Sequence, residues 1–274
     1  MIIGGKQFET TGHTYVMGIL NVTPDSFSDG GKWNSMDAAL KHAEDMINDG
    51  ADILDIGGES TRPGYTLLSD EEEISRVAPV IEAVKKNFDI PVSVDTYKSA
   101  VAQAALQAGA DLVNDIWGLK YDPNMASVVA KANVPCCLMH NRKEAVYKDY
   151  LPDVLDDLRE CVRLAKQAGI ADENIILDPG IGFGKTLEHN LILTNHVEIL
   201  HELGYPILLG TSRKSMIGLT LDLPKDQREE GTLVTTVMGV MKGCMFVRVH
   251  NVLANRRAVD MTQAILQSGG TANG

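Results

Sequence analysis

Residues 92–114 read VSVDTYKSAVAQAALQAGADLVN and predict one strand–helix–strand unit. The apolar runs at residues 92–95 and 112–114 are short and β-branched or leucine-rich, as in strands that are buried on both faces. Between them, small apolar residues recur at helical spacing on one face: Val101, Ala104, Ala105 and Ala108. Gly109 follows this face, at the position where a glycine commonly ends a helix. The stretch therefore indicates a parallel β–α–β module.

The same alternation extends along the whole chain. Eight apolar runs predict eight strands: residues 15–22, 53–56, 92–95, 112–114, 136–140, 175–178, 207–210 and 245–250. Between the second and third runs, one face repeats at helical spacing: Ile74, Val77, Ile81, Val84 and Phe88. Ser69 and Glu72 predict a capping box at the start of that helix.

Eight strands, each followed by a helix, fit either a closed (β/α)8 barrel or a doubly wound open sheet. A length of 274 residues favours the barrel, for which about 250 residues is typical. An open dinucleotide-binding sheet would carry a glycine-rich turn after its first strand, whereas residues 21–25 read NVTPD. No linker divides the chain. We therefore predict one α/β domain over residues 1–274, a TIM barrel with its active site at the carboxyl ends of the strands.

The composition narrows the classes of partner. Asp and Glu outnumber Lys and Arg by 37 to 25, and the net charge of -12 repels phosphate backbones and anionic lipid headgroups. The sequence has neither a signal peptide pattern nor an apolar run of 18 residues. Its four cysteines lack the short spacings of zinc sites or redox pairs, and Cys136 and Cys137 most simply fill a buried strand. We expect a cytoplasmic protein without nucleic-acid or membrane partners.

Polar residues stand at the carboxyl ends of the predicted strands, and their charges are segregated. Any one of them could be a turn former or a helix cap, but eight in a row converge on one surface of a barrel. Arg248 and His250 lie two apart on a strand and so point the same way, which favours a phosphate ligand. The alternative is that such cations form salt bridges, the interpretation we favour for Arg142 and Arg213.

Asp95, Asn114 and Asp178 are expected to meet across the mouth of the barrel. Carboxylates this close repel each other unless they meet donors, so a flat ring with several N–H groups, such as a guanine or pterin edge, fits them. Lys214 could donate to a ring carbonyl. Taken alone, Asp178 before Pro179 could also be a simple turn former.

Six separated blocks of sequence carry a resemblance to a known family. They are residues 17–31 (MGILNVTPDSFSDGG), 55–64 (DIGGESTRPG), 114–115 (ND), 178–185 (DPGIGFGK), 212–215 (SRKS) and 248–250 (RVH). Because the six blocks occur in the order typical of that family, the chain resembles the bacterial dihydropteroate synthases over essentially its whole length. The resemblance implies a cytoplasmic, homodimeric, Mg2+-dependent transferase of folate biosynthesis that sulfonamides target. It would condense 6-hydroxymethyl-7,8-dihydropterin diphosphate with 4-aminobenzoate and release diphosphate.

The resemblance also implies roles for individual residues. Asn21 would bind the metal, and the diphosphate ligands would be Thr61, Arg62, Arg248 and His250. The pterin ligands would be Asp95, Asn114, Ile116, Asp178 and Lys214. The 4-aminobenzoate pocket would be shaped by Asp25, Phe27, Asp29, Pro63, Phe183 and Ser215. The residues expected to serve catalysis are Asp29, Asp95, Lys214, Arg248 and His250.

The glycine-bearing segments 23–32 and 57–66 have the composition of loops that close over a substrate. Closing them costs backbone entropy, so we expect 4-aminobenzoate to bind well only after the pterin diphosphate or diphosphate itself. Because a dihydropterin can delocalise positive charge, dissociative loss of diphosphate is the expected mechanism.

Three other functions remain open at this point. A methyltetrahydrofolate:corrinoid methyltransferase domain would share the pterin cluster, but it has no reason to carry the diphosphate motifs at residues 60–64 and 248–250. A non-catalytic pterin-binding subunit could lose Asn21 or Lys214, and both remain. A sugar-phosphate aldolase or isomerase would rest on the fold alone.

Overall fold

The computed structural model describes residues 1–22, 32–59 and 67–268, the side chains of residues 32–35 excepted. Eight parallel strands form its centre: β3 (Tyr15–Asn21), β4 (Ile53–Gly57), β5 (Val92–Asp95), β6 (Leu112–Asp115), β7 (Cys136–Met139), β8 (Ile175–Asp178), β9 (Leu208–Leu209) and β10 (Phe246–Val249). All eight predicted strands are present. The strand predicted at residues 207–210 is shortened to two residues, between Pro206 and Gly210.

The strands close into a barrel. Their order is β8-β7-β6-β5-β4-β3-β10-β9, and β10 pairs with β3 in parallel. The remaining gap is bridged by Leu177 and Ile207, while the Leu177 amide donates to the carbonyl of Pro206 at 2.9 Å. The predicted TIM barrel is therefore confirmed.

Helices cover the outside of the barrel. In the part of the chain that is described they are α1 (Lys32–Asn48), α2 (Asp70–Asn87), α3 (Ser99–Gln107), α4 (Met125–Ala132), α5 (Tyr150–Gln167), α6 (Leu187–Asn195), α7 (Ser215–Leu221), α8 (Glu229–Met241) and α9 (Val252–Gln267). At the start of α2, Ser69 Oγ accepts the amide of Glu72 at 3.2 Å. The Glu72 carboxylate contacts Arg76 instead of returning to Ser69, so only half of the predicted capping box forms.

A short antiparallel hairpin, which the sequence analysis did not predict, precedes the barrel. It pairs β1 (Ile2–Ile3) with β2 (Lys6–Gln7). Ile3 and Phe8 are buried with the inward-facing residues at the amino ends of the strands, among them Met17 and Phe246. The hairpin thus fills the amino-terminal end of the barrel with apolar side chains, and the polar carboxyl-terminal end is left for function.

A second apolar cluster fills the space between the barrel and its helices. Val16, Leu54 and Val247 point outward into it, because side chains alternate along a strand. All four cysteines are free and buried, including the Cys136–Cys137 pair in β7. Across the described helices, none combines the length and the apolar character needed to cross a membrane.

Candidate active site

Strand alternation turns one polar residue inward near the carboxyl end of most strands. On β4 and β10 the inward apolar residues Ile53 and Phe246 are each followed, two positions later, by a charged residue. The inward residues of this upper layer are Asp55, Asp95, Asn114, Asp178 and Arg248. The barrel therefore brings together Asp95, Asn114 and Asp178, three of the five residues predicted to bind the pterin.

Arg248 holds two carboxylates, and we call Asp55, Asp95 and Arg248 the arginine cluster. Its Nε donates to Asp55 Oδ2 at 2.5 Å and its Nη2 donates to Asp95 Oδ2 at 2.6 Å. Burial opposes the charge of Arg248, but the two carboxylates outweigh it and raise its pKa. Burial raises the pKa of Asp95 to about 7, because it outweighs the opposing charge of Arg248.

Within the arginine cluster, Arg248 forms ion pairs. From the sequence, phosphate binding was favoured over ion pairing for this residue. The cluster also contains Asp55, a residue to which the sequence analysis gave no role. A charged residue inside an otherwise apolar run was the signal, because an aspartate is almost never fully buried without a partner. Asn114 joins the cluster by donating its Nδ2 to Asp55 Oδ2 at 3.1 Å, which leaves its amide oxygen as the acceptor.

Two buried oxygens of the arginine cluster are available to a ligand. Asp55 Oδ1 and Asp95 Oδ1 accept no hydrogen bond from any described residue. A buried acceptor without a donor is costly, so a ligand that brings N–H groups to these oxygens would gain binding energy.

Asp178 and Lys214 lie on either side of the space next to Gly210, at the same end of the barrel as the arginine cluster. Asp178 Oδ1 accepts the amide of Gly180 at 2.6 Å. A Cβ atom placed on Gly210 would lie 3.7 Å from Asp178 Oδ2 and 3.9 Å from both Lys214 Nζ and Arg248 Cβ. The glycine therefore keeps open a space on which a carboxylate and an amine converge. Burial raises the pKa of Asp178 and lowers that of Lys214 to about 8.

An apolar wall adjoins these polar groups. Tyr97, Ile116 and Met139 form a buried cluster against which Phe183 packs. The Phe183 ring centroid lies 4.7 Å from Lys214 Nζ, a cation–π contact. An apolar face beside a polar edge suits a flat heteroaromatic ring. Ser215, the first residue of α7, is exposed next to Lys214.

His250 lies beside Ser212 at the end of β10. Ser212 Oγ is 2.9 Å from His250 Nδ1 and accepts the His250 amide at 3.2 Å. Asn251 then caps α9, its side chain accepting the amide of Ala254 at 3.2 Å. Ser212 belongs to the block at residues 212–215, and no role was predicted for it. A histidine before a helix N-terminus is favourable for an anion.

Asn21 ends β3 and is in register with Gly57 of β4, at the same end of the barrel as the arginine cluster. Across the residues described, no group of three or more His, Cys, Asp and Glu side chains could hold a metal ion. Asn21 therefore offers a single amide oxygen, which fits a Mg2+ ion that takes most of its ligands from a phosphorylated substrate.

Six of the predicted residues lie outside the described ranges: Asp25, Phe27, Asp29, Thr61, Arg62 and Pro63. The segment predicted as a closing loop at residues 57–66 nevertheless needs a correction at its start. Gly57 belongs to β4, and Gly58 and Glu59 are buried.

Glu59 is held by an ion-pair cluster that the sequence analysis missed. Lys98 Nζ donates to Glu59 and Glu73, both at 2.8 Å, and to the carbonyl of Leu68 at 2.9 Å. Tyr97 donates to Glu59 at 2.6 Å, and the Leu68 amide donates to it at 2.9 Å. The cluster fixes Glu59 and Leu68, which flank residues 60–67. Burial opposes the ionised form of Glu59, but the bonds from Lys98 and Tyr97 outweigh it and lower its pKa.

Arg142 and Arg213 form the ion pairs that the sequence analysis favoured for them. Arg142 Nε donates to Asp157 at 2.6 Å, and Arg213 Nε lies 3.5 Å from Glu229.

Comparisons with known proteins point to one family. The sequence profile of the pterin-binding enzymes matches residues 17–250. The dihydropteroate synthase of Clostridium beijerinckii is 64% identical over 268 residues, which cover 97% of this chain and 100% of that protein.

Solved structures agree with the sequence comparison. The dihydropteroate synthase of Clostridium difficile, crystallised with pteroic acid, has a TM-score of 0.93 and 50% identity, covering 96% of this chain and 100% of that one. The enzyme of Xanthomonas albilineans with 4-aminobenzoic acid has a TM-score of 0.89 and 43% identity over 93% and 94% of the two chains. The Yersinia pestis enzyme in a sulfonamide complex has a TM-score of 0.92 and 41% identity over 98% and 99%.

Proposed function

The chain belongs to the dihydropteroate synthase family of pterin-binding enzymes, and we propose that the residues at the carboxyl end of its barrel divide into three ligand sites for that reaction. It is a transferase that condenses 6-hydroxymethyl-7,8-dihydropterin diphosphate with 4-aminobenzoate to give 7,8-dihydropteroate and diphosphate. The division into sites is supported by the contacts of Asp95, Asp178 and Arg248.

The pterin ring binds between the arginine cluster and Lys214. Asp178 accepts ring N–H groups through the oxygen that faces Gly210, and Asn114 presents its amide oxygen because its nitrogen is held by Asp55. Lys214 donates to the ring carbonyl, and Ile116 contacts the ring face. The orphaned oxygens of Asp55 and Asp95 support this assignment, since a pterin edge carries the donors that they lack.

The diphosphate binds beside the ring, with His250 as its ligand at the N-terminus of α9 and Arg248 between it and the pterin. Thr61 and Arg62 are assigned to the same group by motif alone. Asn21 would hold a Mg2+ ion on the diphosphate, and when bound the ion would disperse the charge of the leaving group.

The 4-aminobenzoate binds against Phe183 and Ser215, beside Lys214. The family resemblance assigns Phe27 and Pro63, together with Asp25 and Asp29, to the same pocket. Sulfonamides that copy 4-aminobenzoate are then expected to compete for these residues, as the Yersinia pestis complex supports.

The proposed chemistry is a dissociative substitution. The bond between the pterin methylene carbon and the diphosphate oxygen breaks, and the oxygen keeps the electron pair. Asp95 lies where its carboxylate can stabilise positive charge on the pterin, and the neutral aniline nitrogen of 4-aminobenzoate then forms the new C–N bond and releases one proton. The positive charge of Arg248 favours the ionised form of Asp95, against the effect of burial.

The observation that carries the proposal is the convergence of Asp95, Asp178, Lys214 and Arg248 at one end of the barrel. Its test is diphosphate release by the purified protein with each substrate alone and with both. Release that needs both substrates would support the synthase, whereas release or methyl transfer without 4-aminobenzoate would contradict it.

We further propose one domain over residues 1–274, a cytoplasmic location and a homodimer. Four free, buried cysteines are compatible with a reducing compartment. Exposed apolar residues on three successive helices support a partner surface: Leu219 of α7, Val234 and Met241 of α8, and Met261 and Ile265 of α9. Sedimentation of the full chain at micromolar concentration would separate a dimer from a monomer.

A further inference from the structure

The motif at residues 178–185 contains one lysine that the proposed reaction does not use. Residues 180–185, which we call the lysine turn, follow β8 and end on Lys185. The side-chain amine of Lys185 folds back onto the turn. It donates to the carbonyls of Gly180 at 2.9 Å and Phe183 at 3.0 Å, and it lies 2.7 Å from His140 Nδ1.

The hydrogen-bond roles in this group are fixed by Asp157. The Asp157 carboxylate can only accept, and it lies 2.9 Å from His140 Nε2 while it also accepts from Arg142 at 2.6 Å. His140 therefore carries its proton on Nε2 and accepts on Nδ1. The three N–H bonds of the Lys185 ammonium then meet three acceptors, so the group is fully satisfied.

The lysine turn needs such support because its backbone is glycine-rich. Gly180 and Gly184 have φ of +69° and +55°, in the left-handed region. A Cβ on Gly180 would lie 1.9 Å from the His140 carbonyl oxygen, and one on Gly184 would lie 2.4 Å from that of Arg142. The turn is thus packed closely against the segment after β7. Because its glycines leave the backbone flexible, hydrogen bonds from side chains are needed to fix its conformation.

The lysine turn places the side chain of Phe183 in the candidate active site. The Phe183 carbonyl accepts from Lys185, while its ring centroid lies 4.7 Å from Lys214 Nζ and its side chain packs against the buried cluster that contains Ile116. We propose that Lys185, supported by His140 and Asp157, is a positioning residue that holds the Phe183 ring as a wall of the 4-aminobenzoate pocket. This inference rests on the proposed function, which gives Phe183 that pocket.

The test compares Lys185→Met with Phe183→Ala, the double variant and Lys143→Met, in which an exposed lysine of the segment after β7 is replaced. Kinetics are measured at pH 6.5, because burial lowers the pKa of Lys185 to about 7. Loss of a charged donor should raise the KM for 4-aminobenzoate about tenfold, with kcat and the calorimetric affinity for the bare hydroxymethyl pterin changed less than about threefold. Lys143→Met should match the native protein.

The double variant decides whether Lys185 acts through Phe183. If it does, the double variant should be no worse than Phe183→Ala alone. Additive losses, equal losses for both ligands, or an unchanged KM in Lys185→Met would overturn the inference. If Lys185→Met does not fold, Lys185→Gln takes its place: it should raise the same KM, and adding Phe183→Ala should give a double variant no worse than Phe183→Ala alone, whereas an unchanged KM in Lys185→Gln would overturn the inference.

Hydrogen exchange separates this inference from the proposed function. The amides of residues 180–185 should exchange faster in Lys185→Met than in Lys143→Met, whether or not the protein forms dihydropteroate. Unchanged exchange would contradict the positioning role. Native protein without diphosphate release, together with faster exchange in Lys185→Met, would overturn the proposed function and leave the positioning of Phe183 supported.

Discussion

At the scale of single residues, Arg248 has more than one task. It pairs with Asp55 at 2.5 Å and Asp95 at 2.6 Å, and the proposed function also places it beside the diphosphate. His250 Nδ1 lies 2.9 Å from Ser212 Oγ, at the N-terminus of α9. The two residues of one short motif should therefore respond differently to substitution, although the sequence gives them the same role.

We expect His250→Ala to weaken binding of the pterin diphosphate while leaving the bare hydroxymethyl pterin nearly unaffected. Arg248→Met should weaken both ligands, because it leaves Asp55 and Asp95 buried without their cation. Calorimetry with the two ligands measures the difference. Equal effects of His250→Ala on both ligands would show that this histidine supports the whole site.

Asp178→Asn should reduce pterin affinity by about 1–3 kcal/mol or more, because a carboxylate that accepts ring N–H groups becomes partly a donor. The Gly180 amide also needs an acceptor at this position, at 2.6 Å in the native protein. The exposed Asp226→Asn is the matched control for calorimetric titration. An unchanged dissociation constant in Asp178→Asn would remove this residue from the site.

At the scale of elements, two segments after the strands are fixed by buried charges. The lysine turn is held by its own lysine, and the segment that leaves β4 is held by the ion pairs of Glu59 and Glu73 with Lys98. The exposed side-chain fractions of these three residues are 3%, 1% and 8%. Lys98 satisfies both carboxylates and the Leu68 carbonyl, so it ties α2 to the β4 end.

Lys98→Met should destabilise the protein by about 3–5 kcal/mol, because two carboxylates would remain buried without a cation. Urea unfolding measures the change, and the exposed Lys131→Met serves as its control. Adding Glu59→Gln and Glu73→Gln to Lys98→Met should recover part of the loss. A triple variant that is less stable than Lys98→Met would show that unpaired charge on Glu59 and Glu73 is not the source of the loss.

At the scale of the whole molecule, the two ends of the barrel differ in chemistry. The amino-terminal end is sealed by Ile3 and Phe8, and the carboxyl-terminal end buries Asp55, Asp178 and His140. Buried titratable groups make the stability of the fold depend on pH, because burial shifts their pKa values away from those of the unfolded chain.

His140 should make the protein less stable in mild acid. Burial lowers its pKa from 6.5 to about 4, so below pH 6.5 the unfolded chain binds a proton that the folded protein does not. The stability contributed by neutral His140 is complete above pH 6.5 and falls by about 3 kcal/mol as the pH drops to 4. Urea unfolding from pH 7 to pH 4 should show a shallower decline in His140→Gln, and an equal decline would exclude His140 as the source.

The sequence by itself determined the barrel and most of the candidate site. The 2.0 and 3.6 residue periods depend on local backbone geometry, so eight apolar runs and their intervening helices were predicted from pattern alone. The polar strand ends gave Asp95, Asn114, Asp178, Lys214 and Arg248, because every parallel strand of a barrel ends at the same face. The ordered entry of 4-aminobenzoate stays a prediction, since Phe27 and Pro63 lie outside the described ranges.

Only the tertiary structure decided which charges pair. Asp55 and Arg248 are 193 positions apart, and His140 and Lys185 are 45 positions apart. No sequence period relates the members of either pair. The amino-terminal hairpin was missed for a similar reason, since two-residue strands are too short to show a period and are stabilised by burial of Ile3 and Phe8. Periodicity is a local property of the chain, whereas an ion pair is set by where closure of the barrel places two distant side chains.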